Sequence, residues 1–202
     1  MLFDSKTYSV LVVSASEKMN EALRSALTEE GCSPIVFFSG VAAARRHCLE
    51  HKVDMVIVNS PLVNDMGTKF ALDISGEKQD TVCMIMLKAD TYDSLQMRME
   101  EGGVFCVSKP ISMTELKKNI HWLKTARERL RRTEQKTATL ESKMDEIRII
   151  NRAKWILIEE CGMTEPDAHR YIEKEAMNQG LPKRQIADEI IGRRNLPGRP
   201  LR

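Results

Sequence analysis

From Thr114 to Glu160 the chain contains neither proline nor glycine. No other feature narrows the fold as much. The stretch is rich in Lys, Arg, Glu, Leu and Thr, mostly good helix formers, and nothing in it breaks the backbone hydrogen-bond ladder. The pattern predicts one long helix shared between two domains. Leu116, Ile120, Leu123 and Leu130 fit a heptad seam interrupted by Arg127. Leu140, Met144 and Ile147 resume the seam, displaced by three residues, and Glu134 and Thr137 occupy its weak middle. Such a seam predicts a coiled-coil linker over residues 114–145, and with it a parallel homodimer. The alternative is a solvated spacer helix.

Before this helix, short apolar runs alternate with helical periodicity. The runs are Ser9–Val13, Ser33–Phe38, Met55–Val58, Val82–Leu87 and Val104–Val107, all of strand length. Helical stripes alternate with them: Met19, Leu23, Ala26 and Leu27; Val41, Ala44, Cys48 and Leu49; Phe70, Ala71 and Ile74; a sparse fourth, Leu95 with Met99; and a fifth begun by Leu116, Ile120 and Leu123, which also open the seam. Strands alternating with helices predict a doubly wound parallel sheet of five strands covered on both faces, an α/β domain over residues 1–122. After the long helix the pattern is all-α. Cys161-Gly162 ends the helix, Thr164 is a good N-cap with Pro166 tolerated in the first turn, and Asn178-Gln179-Gly180 stops a short second helix. Pro182 can start a third, with the stripe Ile186, Ala187, Ile190 and Ile191. The basic tail, residues 193–202, reads as disordered.

Charge divides the same way. Through Lys109 there are eleven basic and fifteen acidic residues, a net of −4; the remaining twenty basic and fourteen acidic residues give +6. A basic second half is compatible with a polyanionic partner. Five scattered cysteines, Cys32, Cys48, Cys83, Cys106 and Cys161, form no close pair and read as buried thiols of a reducing cytoplasm. No segment approaches the length of a membrane span, and no signal-peptide pattern is seen, so a cytoplasmic location without membrane contact is expected. His47, Cys48 and His51 have helical spacing but lack a third and fourth metal ligand; Cys48 fits the apolar stripe better. Neither paired catalytic carboxylates nor a phosphate-cradling glycine loop is present, so a non-enzymatic protein without metal or cofactor is expected.

The strand order and the pair Lys109-Pro110 resemble the receiver domain of two-component response regulators over residues 7–125. The resemblance implies a flavodoxin-like fold. It also implies a site in which two acids bind Mg²⁺, an aspartate accepts a phosphoryl group, and a lysine preceding a cis proline contacts it. At the matching positions this chain has Ser14 and Ala15, Asn59, Lys88 at the end of the fourth strand, Cys106 in the fifth, and Lys109. Only the lysine matches. An amide cannot form an acyl phosphate, and Ser14 with Ala15 offers little to a hard cation. The expectation is a degenerate phosphorylation site, inert or open to another anion near Lys88 and Lys109.

The run Ile149-Ile150-Asn151-Arg152-Ala153-Lys154-Trp155-Ile156-Leu157 resembles the opening of the ANTAR domain. Gly162-Met163-Thr164-Glu165, Ala168, Ile172, Ala176-Met177, Ile186-Ala187 and Ile190-Ile191 continue the resemblance over residues 140–192. It implies a three-helix RNA-binding domain that controls transcription termination, following a receiver or another sensor domain. Arg148, Arg152, Ala153, Lys154, Lys183 and Arg184 are the expected RNA-binding residues. Lys183 and Arg184 open the third helix, where free N–H groups add to their field. Trp155 reads more readily as packing than as a base platform. The expected function is a transcription antiterminator that binds hairpin loops in nascent RNA and is not controlled by aspartyl phosphorylation. Two alternatives stay open: a DNA-binding helix-turn-helix regulator, and an adaptor that meets a protein partner through the receiver-like domain.

Overall fold

The computed structural model describes residues 7–78 and 80–194, the side chain of Arg194 excepted. Five strands form one parallel sheet: β1 (Tyr8–Ser14), β2 (Cys32–Phe38), β3 (Met55–Asn59), β4 (Val82–Lys88) and β5 (Val104–Lys109), in the order β2-β1-β3-β4-β5. The helices between them are α1 (Glu17–Glu29), α2 (Val41–Glu50), α3 (Thr68–Glu77) and α4 (Ala89–Glu101). Then follow α5 (Met113–Cys161), α6 (Glu165–Gln179) and α7 (Lys183–Arg194). Contacts divide the chain into two compact units, one ending at Glu134 and one beginning at Gln135.

In the first unit the period of two along each strand sends alternate side chains to opposite faces. Leu11, Val13, Val56, Val58, Ile85 and Leu87 meet Ala44 and Cys48 of α2, Phe70 and Ile74 of α3, and Met99 of α4. Val10, Val12, Met55, Ile57, Met84 and Met86 meet Leu23, Ala26 and Leu27 of α1. The same second face is covered by Leu116, Ile120 and Leu123 of α5. This corrects the seam expectation. These three leucine and isoleucine side chains are buried in the core of their own chain, and Leu130 packs partly against them. They are unavailable to a second copy.

Arg127 is not an interruption either. Its side chain is 1% exposed, with Nε donating to Asp54 Oδ1 at 2.9 Å and Nη1 to Glu134 Oε1 at 2.9 Å. Asp54 Oδ2 accepts from the Ser9 amide at 3.0 Å and the Ser9 hydroxyl at 3.1 Å. The network ties α5 to the starts of β1 and β3.

In the second unit, Ala153, Ile156 and Leu157 of α5 face Ala168, Ile172 and Ala176 of α6 and Ile186, Ala187 and Ile190 of α7. Thr164 caps α6 by accepting from the Asp167 amide, and Gly180 closes it with φ of 64°, a conformation that costs glycine little. Helix α7 includes Arg193 and Arg194, so two residues of the expected tail are helical. The remainder of the expected tail, residues 195–202, lies outside the described residues. The Lys109–Pro110, Ser33–Pro34 and Ser60–Pro61 peptides are cis. Among the described residues no helix is long and apolar enough to cross a membrane.

Candidate regulatory site and nucleic-acid interface

Strand order reverses between β1 and β3, and parallel sheets place their ligand crevices at the carboxyl ends of strands beside such a point. Ser14 ends β1 and Asn59 ends β3, and the two are register partners. Both are buried. The Asn59 amide nitrogen donates to Ser14 Oγ at 3.0 Å, and its Oδ1 accepts from Lys109 Nζ at 2.7 Å. An ammonium only donates, which fixes the amide orientation. Lys109 Nζ also donates to the Ser60 carbonyl, and Ser14 Oγ accepts from the Ser16 amide at 3.2 Å. The acceptor position is therefore filled by a neutral group whose two polar atoms are both engaged.

Lys109 finds partners the sequence did not show: an amide oxygen and a backbone carbonyl in place of an anion. Burial, and secondly the charge of Lys88, hold its pKa below the usual lysine range. Lys88 is its register partner on β4, but its side chain is exposed, as is Ala15. The donor set does not fit Mg²⁺. One engaged hydroxyl and one amide oxygen already bound to an ammonium replace the carboxylates a hard cation requires. Asp65, in the nearby loop, accepts from the Gly67 amide at 2.7 Å, and Asp90 lies in the first turn of α4.

The His47 and His51 rings lie with centroids 4.4 Å apart and tilted by 42°, and Cys48 between them in the sequence is buried in the core. Among the described residues no cluster of three metal-ligating side chains occurs. The cysteines are free thiols, but Cys161 is exposed and Cys106 half-buried, which corrects the reading of all five as buried.

On the helical unit the expected RNA-binding residues fall into three groups. Ala153 is 0% exposed and packs in the core of this unit, so here it presents no surface of its own to a ligand. Arg148, Lys154 and Lys183 are paired. Arg148 lies 3.4 Å from Asp145, Lys154 Nζ donates to Glu165 Oε1 at 2.7 Å, and Lys183 pairs with Glu173. The Lys154 side chain is only 16% exposed. Hydrogen bonds from Lys154 and Lys183 hold the pKa values of Glu165 and Glu173 below the usual carboxylate range. Arg152 and Arg184 are exposed and make no ion pair among the described residues. Arg170 and Lys174, exposed at i,i+4 on α6, share that property; their spacing was the available signal, and the sequence reading did not single them out.

The family model for the response regulator receiver domain matches residues 10–121, and that for the ANTAR domain matches residues 138–191. The transcriptional regulatory protein PdtaR of Mycobacterium tuberculosis is 24% identical over 141 residues, covering 70% of this chain and 68% of that protein. The aliphatic amidase regulator of Pseudomonas aeruginosa is 24% identical over 199 residues, covering 95% of each. Among solved structures, the signal receiver domain of an HD domain-containing protein from Pseudomonas fluorescens Pf-5 is similar, with a TM-score of 0.55 and 20% identity. It covers 67% of this chain and 97% of its own, a likeness of fold. With its receiver match running over more than half of its length, the chain belongs to the response regulators and carries an ANTAR domain behind its receiver domain.

Proposed function

We propose that this protein is an RNA-binding transcription antiterminator that acts without aspartyl phosphorylation. The observation that carries the reading is the ANTAR match over residues 138–191. It coincides with a helical unit whose exposed surface bears arginines without an ion pair among the described residues, and whose core holds the residues of the family pattern. Hairpin loops are the expected targets, because duplex RNA hides its base edges in a deep, narrow groove. Bound in nascent RNA, such a protein holds an alternative hairpin and keeps a terminator from folding. Arg148, Arg152, Lys154, Lys183 and Arg184 are the proposed contacts, with Arg152 and Arg184, which have no ion pair among the described residues, foremost. A paired cation must exchange a carboxylate for a phosphate and gains less. Preference of the full chain for structured RNA over duplex DNA is the test of this reading.

The engaged Asn59 supports independence from phosphorylation. Incubation with a small-molecule phosphoryl donor and Mg²⁺ is expected to leave the intact mass unchanged. An alkali-labile phosphoryl adduct mapped to residues 55–65 would contradict this.

A homodimer through α5 is retained in narrower form. Leu116, Ile120 and Leu123 are committed to the first unit's core, whereas Leu140, Met144 and Ile147 are exposed at heptad spacing. Two turns of seam give a weak association, and two linked ANTAR domains would raise apparent affinity for paired hairpins. Replacing Leu140 and Met144 by glutamate is expected to leave only monomer in sedimentation at a concentration where the parent chain dimerises. A parent chain that is monomeric with and without RNA would exclude the dimer.

A further inference from the structure

Trp155 is the residue whose placement departs most from its sequence reading. Its side chain is 63% exposed and takes no part in the helical core. The inward positions of this turn belong to Ala153, Ile156 and Leu157. An indole 63% exposed on an ordered helix leaves much of a large apolar face uncovered by the described residues, a loss of burial that packing would have avoided. Helical spacing places Arg152 three residues before it and Arg148 seven before it, so both arginines lie along its flank. Arg152 is exposed and makes no ion pair among the described residues, and Arg148 has only the exposed Asp145 at 3.4 Å.

The apolar stripe of Leu140, Met144 and Ile147 does not run on to this indole. Asn151, one turn before Trp155, is exposed and polar, and Lys154 is drawn away to Glu165. Trp155 is thus an exposed apolar ring with arginines at helical spacing on the two turns before it and Glu159 on the turn after it. That combination fits a nucleobase attached to a phosphate chain. The ring supplies a stacking face to an unpaired base, and the arginines supply charge to the flanking phosphates. A second copy of this chain fits less well, because it would bring Arg148 and Arg152 against their own like charges.

We propose that Trp155 is the base-stacking platform of the RNA site, receiving one unstacked loop base with Arg148 and Arg152 on the adjoining phosphates. The proposal rests on the RNA-binding reading and adds to it the residue that distinguishes an open loop from a stem.

The chain has two tryptophans, so the Trp122→Phe background leaves Trp155 as the sole indole reporter. The probe is a hairpin RNA selected against the full chain from a pool with a randomised loop. Its binding is expected to quench Trp155 fluorescence in step with complex formation. Trp155→Ala should weaken binding roughly 5- to 150-fold, the range for loss of one stacked base. Trp155→Phe should keep most of the affinity. Neither change should alter the slope of affinity against salt, since no phosphate contact is removed. An unquenched Trp155 together with full affinity of Trp155→Ala would overturn the platform while leaving RNA binding intact. Loss of affinity in Trp155→Ala that accompanies conversion of an RNA-free dimer to monomer would overturn it in favour of a contact between copies. If the parent chain binds no hairpin RNA, the platform and the RNA-binding reading fall together.

Discussion

Arg127→Ala is expected to destabilise the receiver unit by roughly 3–5 kcal/mol, the usual cost of leaving one partner of a buried ion pair unpaired. The guanidinium is almost wholly buried and holds Asp54 and Glu134 at 2.9 Å each. Asp54 keeps the Ser9 amide and hydroxyl, and Arg131 lies 3.5 Å away. After the substitution, however, its Oδ1 faces a cavity rather than a close donor. Arg127→Met combined with Asp54→Ala should cost clearly less than the sum of the two single changes, because the buried charges leave together. Urea unfolding of the full chain, followed through Trp122 in a Trp155→Phe background, measures both. A loss below about 1 kcal/mol for Arg127→Ala would place the pair with exposed salt bridges and contradict its role in holding α5 to the sheet.

The second large effect concerns RNA affinity. Arg152 and Arg184 are exposed and lack ion pairs among the described residues, so each can meet a phosphate without giving up a partner. Loss of a charge-assisted hydrogen bond costs about 1.5–3 kcal/mol. The double variant Arg152→Ala/Arg184→Ala is therefore expected to bind hairpin RNA at least a hundredfold more weakly. Its slope of log affinity against log salt should fall by about two units. Lys154→Ala should do less. That lysine is mostly covered and already bonded to Glu165, and its removal chiefly loosens the start of α6. Equal effects from Lys154→Ala and the double variant would show that the ion pair opens on binding and that the free-cation ranking is wrong.

How far these features were legible in the sequence depends on what each signal encodes. Strand and helix periods name which side chains are buried, and so the five-stranded sheet and the ends of α5 could be read from pattern alone. A stripe does not say against what it is buried. Leu116, Ile120 and Leu123 look the same whether they face a sheet or a second helix, so the stripe fits both a fifth helix on the sheet and a dimer seam, and only the packing separates the two. Arg127 was opaque for a related reason. In a heptad it reads as a defect, and its partner Asp54 lies 73 residues away. Ser14, Asn59 and Lys109 were legible as positions, since each ends a strand. The hydrogen bonds that fill the site were not, because they depend on rotamers across three strands. Of the cations, sequence gave the charge but not the pairing. Arg152 and Lys154 are two residues apart, yet the first makes no ion pair among the described residues and the second is held by Glu165, contributed by the next helix.

Competition between hairpin RNA and duplex DNA for the full chain, at matched ionic strength, separates an RNA-binding antiterminator from a DNA-binding regulator. Both polymers offer phosphate to the same arginines, so electrostatic attraction alone does not separate them. Loop bases able to unstack are present only in the hairpin. A selected hairpin is expected to displace duplex DNA at a concentration at least tenfold below that needed for the reverse, with the preference persisting as salt rises. Equal displacement, or tighter binding to duplex DNA, would contradict it and favour a helix-turn-helix regulator of DNA.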